Sequence, residues 1–87
     1  MYYIIVYDCG VERVNALRTF LRQYMNWVQN SVFEGELTKA QFMEVFARIK
    51  EIVDTSSDSV LIYEIHDRKW LRSDIIGVEK AKIDNIL

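Results

Sequence analysis

Asp8 is the residue on which chemistry can be built. It is the first charge after six β-branched or aromatic residues, Tyr2-Tyr3-Ile4-Ile5-Val6-Tyr7, and Gly10 follows two positions on. A carboxylate where an apolar strand ends and a tight turn begins stands where sheet proteins commonly hold reactive groups. Mg²⁺, or Mn²⁺ in its stead, prefers oxygen ligands, keeps several waters and needs only one or two protein carboxylates. Held there, the ion would polarise a phosphoryl oxygen and activate a water for phosphodiester cleavage. One aspartate is too little for a two-metal site; a dimer axis near Asp8 would supply two. The alternative is that Asp8 caps the following helix through its side-chain oxygen.

The basic residues fall into two groups. Arg13, Arg18 and Arg22 lie along one segment, with Arg18 and Arg22 one helical turn apart, and Arg68, Lys69 and Arg72 surround Trp70. Either group is a solvated face or a track for a phosphate backbone, whose contacts are independent of sequence, and arginine's planar fork suits phosphate oxygens. Phe33 is either core or a platform on which a base stacks. His66, beside Asp67, reads as a turn residue rather than an acid or base. Cys9 reads as a small apolar filler, because no second histidine and no basic helix start is present to activate it.

The elements that must position these residues follow from periodicity. Both parities of residues 2–7 are apolar, so neither face of this strand expects water and it should lie centrally in a sheet. Residues 11–25 carry Val14, Leu17, Phe20, Leu21, Tyr24 and Met25 at helical spacing, with Asn26 as the stop. Residues 27–37 read as two short strands or one kinked one, with Gly35 marking a bulge or the end of pairing. Thr38-Lys39-Ala40-Gln41 has the form of a capping box and opens a second helix carrying Phe42, Val45, Phe46, Ile49, Ile52 and Val53. After the polar turn 54–58, residues 59–65 are again a strand, and Trp70-Leu71 and residues 75–78 look like further strand fragments. This order suggests an α+β, ferredoxin-like βαββαβ sandwich with an extra C-terminal strand, both helices covering one face of an antiparallel sheet. The other face would expose Tyr, Ile and Val, so a homodimer through the open sheet face is expected, with residues 75–87 available to pair with the partner subunit.

Composition bounds the reading. With 87 residues the chain forms one domain, residues 1–87. Such a chain buries only about 60–65% of its unfolded surface. Hydrophobic content of 51% with 28% charge, no Pro and three Gly is that of a folded globular protein without linkers. The N-terminal apolar run lacks a basic leader and is too short for a bilayer, so a cytoplasmic protein with no membrane partner is expected, and a single Cys fits a reducing compartment. The net charge of −2 speaks against generic nucleic-acid binding, but the eleven basic residues are clustered.

Tyr7-Asp8 at the end of the first strand, Arg13 and Arg18 on the next helix, and above all Gln29-x-Ser31-Val32-Phe33-Glu34-Gly35-Glu36-Leu37 resemble the CRISPR-associated protein 2 family. The resemblance runs over nearly the whole chain, including Asp67-Arg68-Lys69-Trp70. It implies a ferredoxin-like homodimer, a metal-dependent endonuclease activity acting on DNA or RNA with Asp8 as catalytic and Mg²⁺-binding residue, and a role in spacer acquisition beside the CRISPR-associated protein 1 integrase. It also draws Tyr7, with the basic residues and Phe33, into the nucleic-acid-binding set. One position departs: where many members carry Arg two residues before the Gln, this chain has Trp27. Two other readings stand beside the nuclease, namely a non-catalytic adaptor holding integrase units on DNA, and a ferredoxin-like regulatory dimer unrelated to nucleic acid.

Overall fold

Successive β-branched and aromatic side chains favour an extended backbone, and β1 (Tyr2–Asp8) runs through the interior of a four-stranded sheet in the computed structural model, which describes residues 1–80. The elements follow as α1 (Val11–Leu21), β2 (Asn26–Gln29), β3 (Val32–Glu36), α2 (Lys39–Ile52) and β4 (Ser59–Ile65). The strand order is β2-β3-β1-β4, every neighbouring pair antiparallel. Both helices pack on one face, giving the ferredoxin-like two-layer sandwich that the order of elements predicted.

The alternation along β1 sets the layers. Tyr3, Ile5 and Tyr7 are buried beneath the helices with Leu17, Leu21, Phe33, Val45 and Ile49. Tyr2, Ile4 and Val6 occupy the opposite face, where their cross-strand neighbours on β4 are Ile65, Tyr63 and Leu61. Among the described residues no helix covers this face, and Leu61 and Tyr63 are each 51% exposed.

α2 begins as its sequence predicted. Gln41 N donates to Thr38 Oγ1 at 3.1 Å and Thr38 N donates to Gln41 Oε1 at 2.9 Å, satisfying two otherwise free helix-end donors. Its Phe42 ring stacks on Tyr3, with centroids 4.4 Å apart.

Two local expectations change and one alternative is decided. The first helix ends at Leu21 rather than Met25, because Gln23 N and Tyr24 N bond the carbonyls three residues back and the chain turns so that Met25 drops into the core. Residues 27–37 are a hairpin of two strands turned at Asn30, which takes φ 45°, a left-handed conformation that asparagine tolerates. Gly35 neither bulges nor ends pairing: it sits in the ladder opposite Tyr3, with the irregularity instead between Trp27 and Gln29. It faces Met25: a Cβ there would lie 3.5 Å from Met25 Cα, an ordinary van der Waals contact.

Beyond β4, Trp70-Leu71 is not strand. Residues Arg68–Trp70 form a 3-10 turn whose first turn is capped by Asp67, with Lys69 N donating to Asp67 Oδ1 at 3.0 Å, and Arg68 Nη1 donates to Leu71 O at 2.7 Å. Residues 71–79 join no ladder of this sheet, so the fragment at 75–78 is not one of its strands; they border a groove over the β2 and β3 end of the helix-free face. The last part of the tail expected to pair with a partner, residues 81–87, lies outside the described residues.

Candidate active site

Asp8 closes β1 opposite Ser59 of β4 and shares the parity of Tyr2, Ile4 and Val6, which puts its carboxylate at the rim of the helix-free face. It is exposed and, among the described residues, its side chain takes part in no hydrogen bond or ion pair. The capping role left open for it is not taken. The cap position of α1 is Gly10, and no side chain bonds there to the first-turn amides. A free carboxylate at a strand end is a donor of the type Mg²⁺ accepts. Among the described residues no group of three His, Cys, Asp or Glu side chains comes together, so one chain provides a single carboxylate arm rather than a closed cage.

The residue that organises this corner was not singled out in the sequence. Asp58, whose side chain is 2% exposed, accepts bonds through both oxygens. Oδ1 receives Gly10 N at 3.0 Å and Arg13 Nη2 at 2.9 Å; Oδ2 receives Arg13 Nε at 2.6 Å and Asp54 N at 2.8 Å. Arg13, with Asp54 N and Gly10 N adding to it, holds the Asp58 carboxyl well below the usual carboxylate range, and the same bond raises the guanidinium above its ordinary value. Arg13 also donates through Nη1 to Glu12 Oε1 at 2.8 Å. The guanidinium predicted to meet phosphate is thus engaged inside the chain. Asp58 looked like one acid of a polar turn, and a partner 45 residues away leaves no periodic trace.

Tyr7 and Asp8 are neighbours in sequence but point to opposite layers. Tyr7 is core, its ring stacked on Phe33 at 6.2 Å, and Phe33 has no exposed surface, so as folded it has no ring face to offer a base. Burial raises the Tyr7 phenol, with the nearby Arg18 and Arg22 charges opposing. Arg18 lies near the phenol, yet among the described residues neither the Tyr7 hydroxyl nor Arg18 Nε has a hydrogen-bond partner. Arg22 lies over the Trp27 ring, 5.6 Å from its centroid, and Trp27 Nε1 donates to Asn30 O at 3.0 Å. Trp27 therefore occupies the departing position as a hydrogen-bonded hairpin residue. Cys9 is half-buried and its thiol is pushed up, chiefly by desolvation and then by Asp58, the reverse of what a thiolate nucleophile needs.

The second basic group stands at the other end of the sheet. Arg68 lies over the Tyr2 ring at 5.5 Å, and Tyr2 is six residues from Asp8, about 20 Å along the strand. Lys69 lies over Trp70, which is 74% exposed, and Arg72 is exposed with Nε 3.9 Å from Asp74. His66 is exposed just after β4. Within one chain, then, Arg18 and Arg22 belong to the helix layer, Arg68, Lys69 and Arg72 to the far end, and neither group sits beside Asp8.

The family model described as CRISPR associated protein Cas2 matches residues 1–73. A CRISPR-associated endoribonuclease Cas2 of Methanosarcina acetivorans is 58% identical over 87 residues, all of both chains. Its counterpart of Pyrococcus furiosus is 49% identical over the same full lengths. A crystal structure of Cas2 superposes with a TM-score of 0.84 at 49% identity, covering 92% of this chain and 90% of that one. Streptococcus pyogenes Cas2 does so with a TM-score of 0.79 at 29% identity, covering 88% of this chain and all of that one. Among the described residues no helix is long and apolar enough to cross a membrane.

Proposed function

The chain belongs to the CRISPR-associated protein Cas2 family, and from that membership we propose that it is a Mg²⁺-dependent endoribonuclease of CRISPR adaptation, acting as a two-fold dimer. The observation that carries the reading is the Asp8 carboxylate, exposed on the rim of the helix-free face and free of any capping bond. RNA as substrate follows the names of the relatives, which are endoribonucleases.

The dimer follows from the sheet. Tyr2, Ile4, Val6, Leu61, Tyr63 and Ile65 form a mostly apolar surface with no helix over it among the described residues, and a second copy stacked there covers it. Because Asp8 lies on the same face, stacking brings one carboxylate from each copy to a shared rim, and the pair would hold the ion. When bound, Mg²⁺ supplies charge neutralisation at the scissile phosphate and lowers the pKa of a water. The protein's own part is to present Asp8 at a fixed strand end and to draw the phosphate backbone in through Arg18, Arg22, Arg68, Lys69 and Arg72, contacts that carry no sequence preference. The same backbone contacts serve a spacer-integration complex with the CRISPR-associated protein 1 integrase.

The test is cleavage of an RNA oligonucleotide by wild type and Asp8→Asn in Mg²⁺ or Mn²⁺, with thermal unfolding measured in parallel. Asp8→Asn should fall to background without a change in Tm, since no cap or ion pair is lost. Full Mg²⁺-dependent cleavage by the variant overturns Asp8 as the site. Absence of cleavage in wild type under both ions leaves the non-catalytic adaptor reading.

A further inference from the structure

We infer that Asp58 and Arg13 are positioning residues that fix the turn presenting Asp8, an inference that rests on Asp8 being the catalytic carboxylate. Asp58 gathers three points of the chain onto one buried carboxylate: Gly10 N at 3.0 Å, Arg13 Nε and Nη2 at 2.6 and 2.9 Å, and Asp54 N at 2.8 Å. Gly10 lies two residues after Asp8, and Ser59, which follows Asp58, is the cross-strand neighbour of Asp8. The clamp therefore holds both strands of the last β1–β4 pair. Without it that pair is a strand end, the part of a ladder that frays first. A Cβ on Gly10 would meet only the ends of the Arg13 and Glu12 side chains, 2.6 Å from Arg13 Nη2 and 2.7 Å from Glu12 Oε1, and would displace them.

This assignment differs from a phosphate contact in what it predicts. An arginine that grips phosphate changes KM and the salt dependence of binding, whereas one that holds a turn changes the placement of the reacting group and hence kcat. Displacement of Asp8 by a fraction of an ångström or more should cost about 10- to 100-fold in kcat.

The experiment uses the full chain and an RNA oligonucleotide, with wild type, Asp8→Asn, Asp58→Asn, Arg13→Lys and Arg13→Ala. Asp58→Asn and Arg13→Ala should lose kcat by that factor with KM changed less than about twofold and the salt slope unaltered. Arg13→Lys, which keeps the charge but offers a single donor group, should fall between. Amide exchange at Cys9 and Gly10 should accelerate in Asp58→Asn while the Ile5 amide stays protected, a readout that does not pass through activity. If Asp58→Asn does not fold, the two Arg13 variants carry the same comparison. Full kcat in the Asp58 and Arg13 variants beside an inactive Asp8→Asn sinks the positioning role and leaves the Asp8 reading standing. A raised KM and shallower salt slope with kcat intact would make Arg13 a phosphate contact. Full cleavage by Asp8→Asn would overturn the reading of Asp8 and this inference with it.

Discussion

Asp58 gains its charge-assisted bonds only in the folded chain, so it titrates lower there than the unfolded aspartate value of about 3.9. At acid pH the unfolded chain binds the extra proton. The contribution of Asp58 is therefore complete above the unfolded value and lost as pH falls through it towards the folded one. Urea midpoints taken from pH 6 down to pH 2 should decline for wild type and decline less for Asp58→Asn, with Asp54, lowered chiefly by Ser56, keeping part of the slope in both. Parallel curves would show that the ion pair is not what acid breaks. Tyr7 gives the opposite kind of test. Its hydroxyl is buried and unsatisfied among the described residues, and such a group costs more than it contributes. Tyr7→Phe keeps the stack on Phe33 and should leave stability equal or raise it by up to about 1 kcal/mol. A loss in urea unfolding would reveal a partner for the hydroxyl.

At the scale of elements, α2 depends on its start. Thr38 and Gln41 exchange two hydrogen bonds, and Val45 and Ile49 carry the helix into the core. Thr38→Ala should lower stability by about 1 kcal/mol, read from the denaturant midpoint with an unchanged m-value. Retained stability would mean that packing of Phe42 on Tyr3 alone sets the register. α1 has no such device: its cap is Gly10, without a side-chain bond, and the Asp58 clamp stands in its place. The two helices that look alike in hydrophobic spacing are thus started by different physics, one local and one spanning 48 residues.

For the whole molecule, the helix-free face decides association. A chain of 10.3 kDa with Leu61 and Tyr63 half exposed beside Ile4 and Val6 should sediment as a species of twice that mass at micromolar concentration. Leu61→Asp should return it to the single-chain mass while leaving its helical circular dichroism intact, because the helix-side core is untouched. A single-chain species for wild type would reject the dimer. Nucleic-acid affinity should fall with salt, and Arg18→Ala, Arg22→Ala, Arg68→Ala and Arg72→Ala should each flatten the log–log slope by about 0.7 on single strands. Indifference to all four would reject both basic groups.

The sequence by itself determined whatever depends on short periods. Six apolar residues of both parities made β1 central, Thr38-x-x-Gln41 started α2, and the segment from Gln29 to Leu37 carried the family. Asp8 was legible as a candidate because a charge ending an apolar run is a local event. The tertiary structure decided the rest. It ended α1 at Leu21, where amides bonding three residues back turn the chain and carry Met25 into the core despite four more residues of helical spacing. It put Phe33 and Tyr7 in the core, where a stretch apolar on both faces cannot show which side the helices cover. It joined Arg13 to Asp58, an ion pair set by the meeting of two turns that no repeat of 2.0 or 3.6 residues can encode.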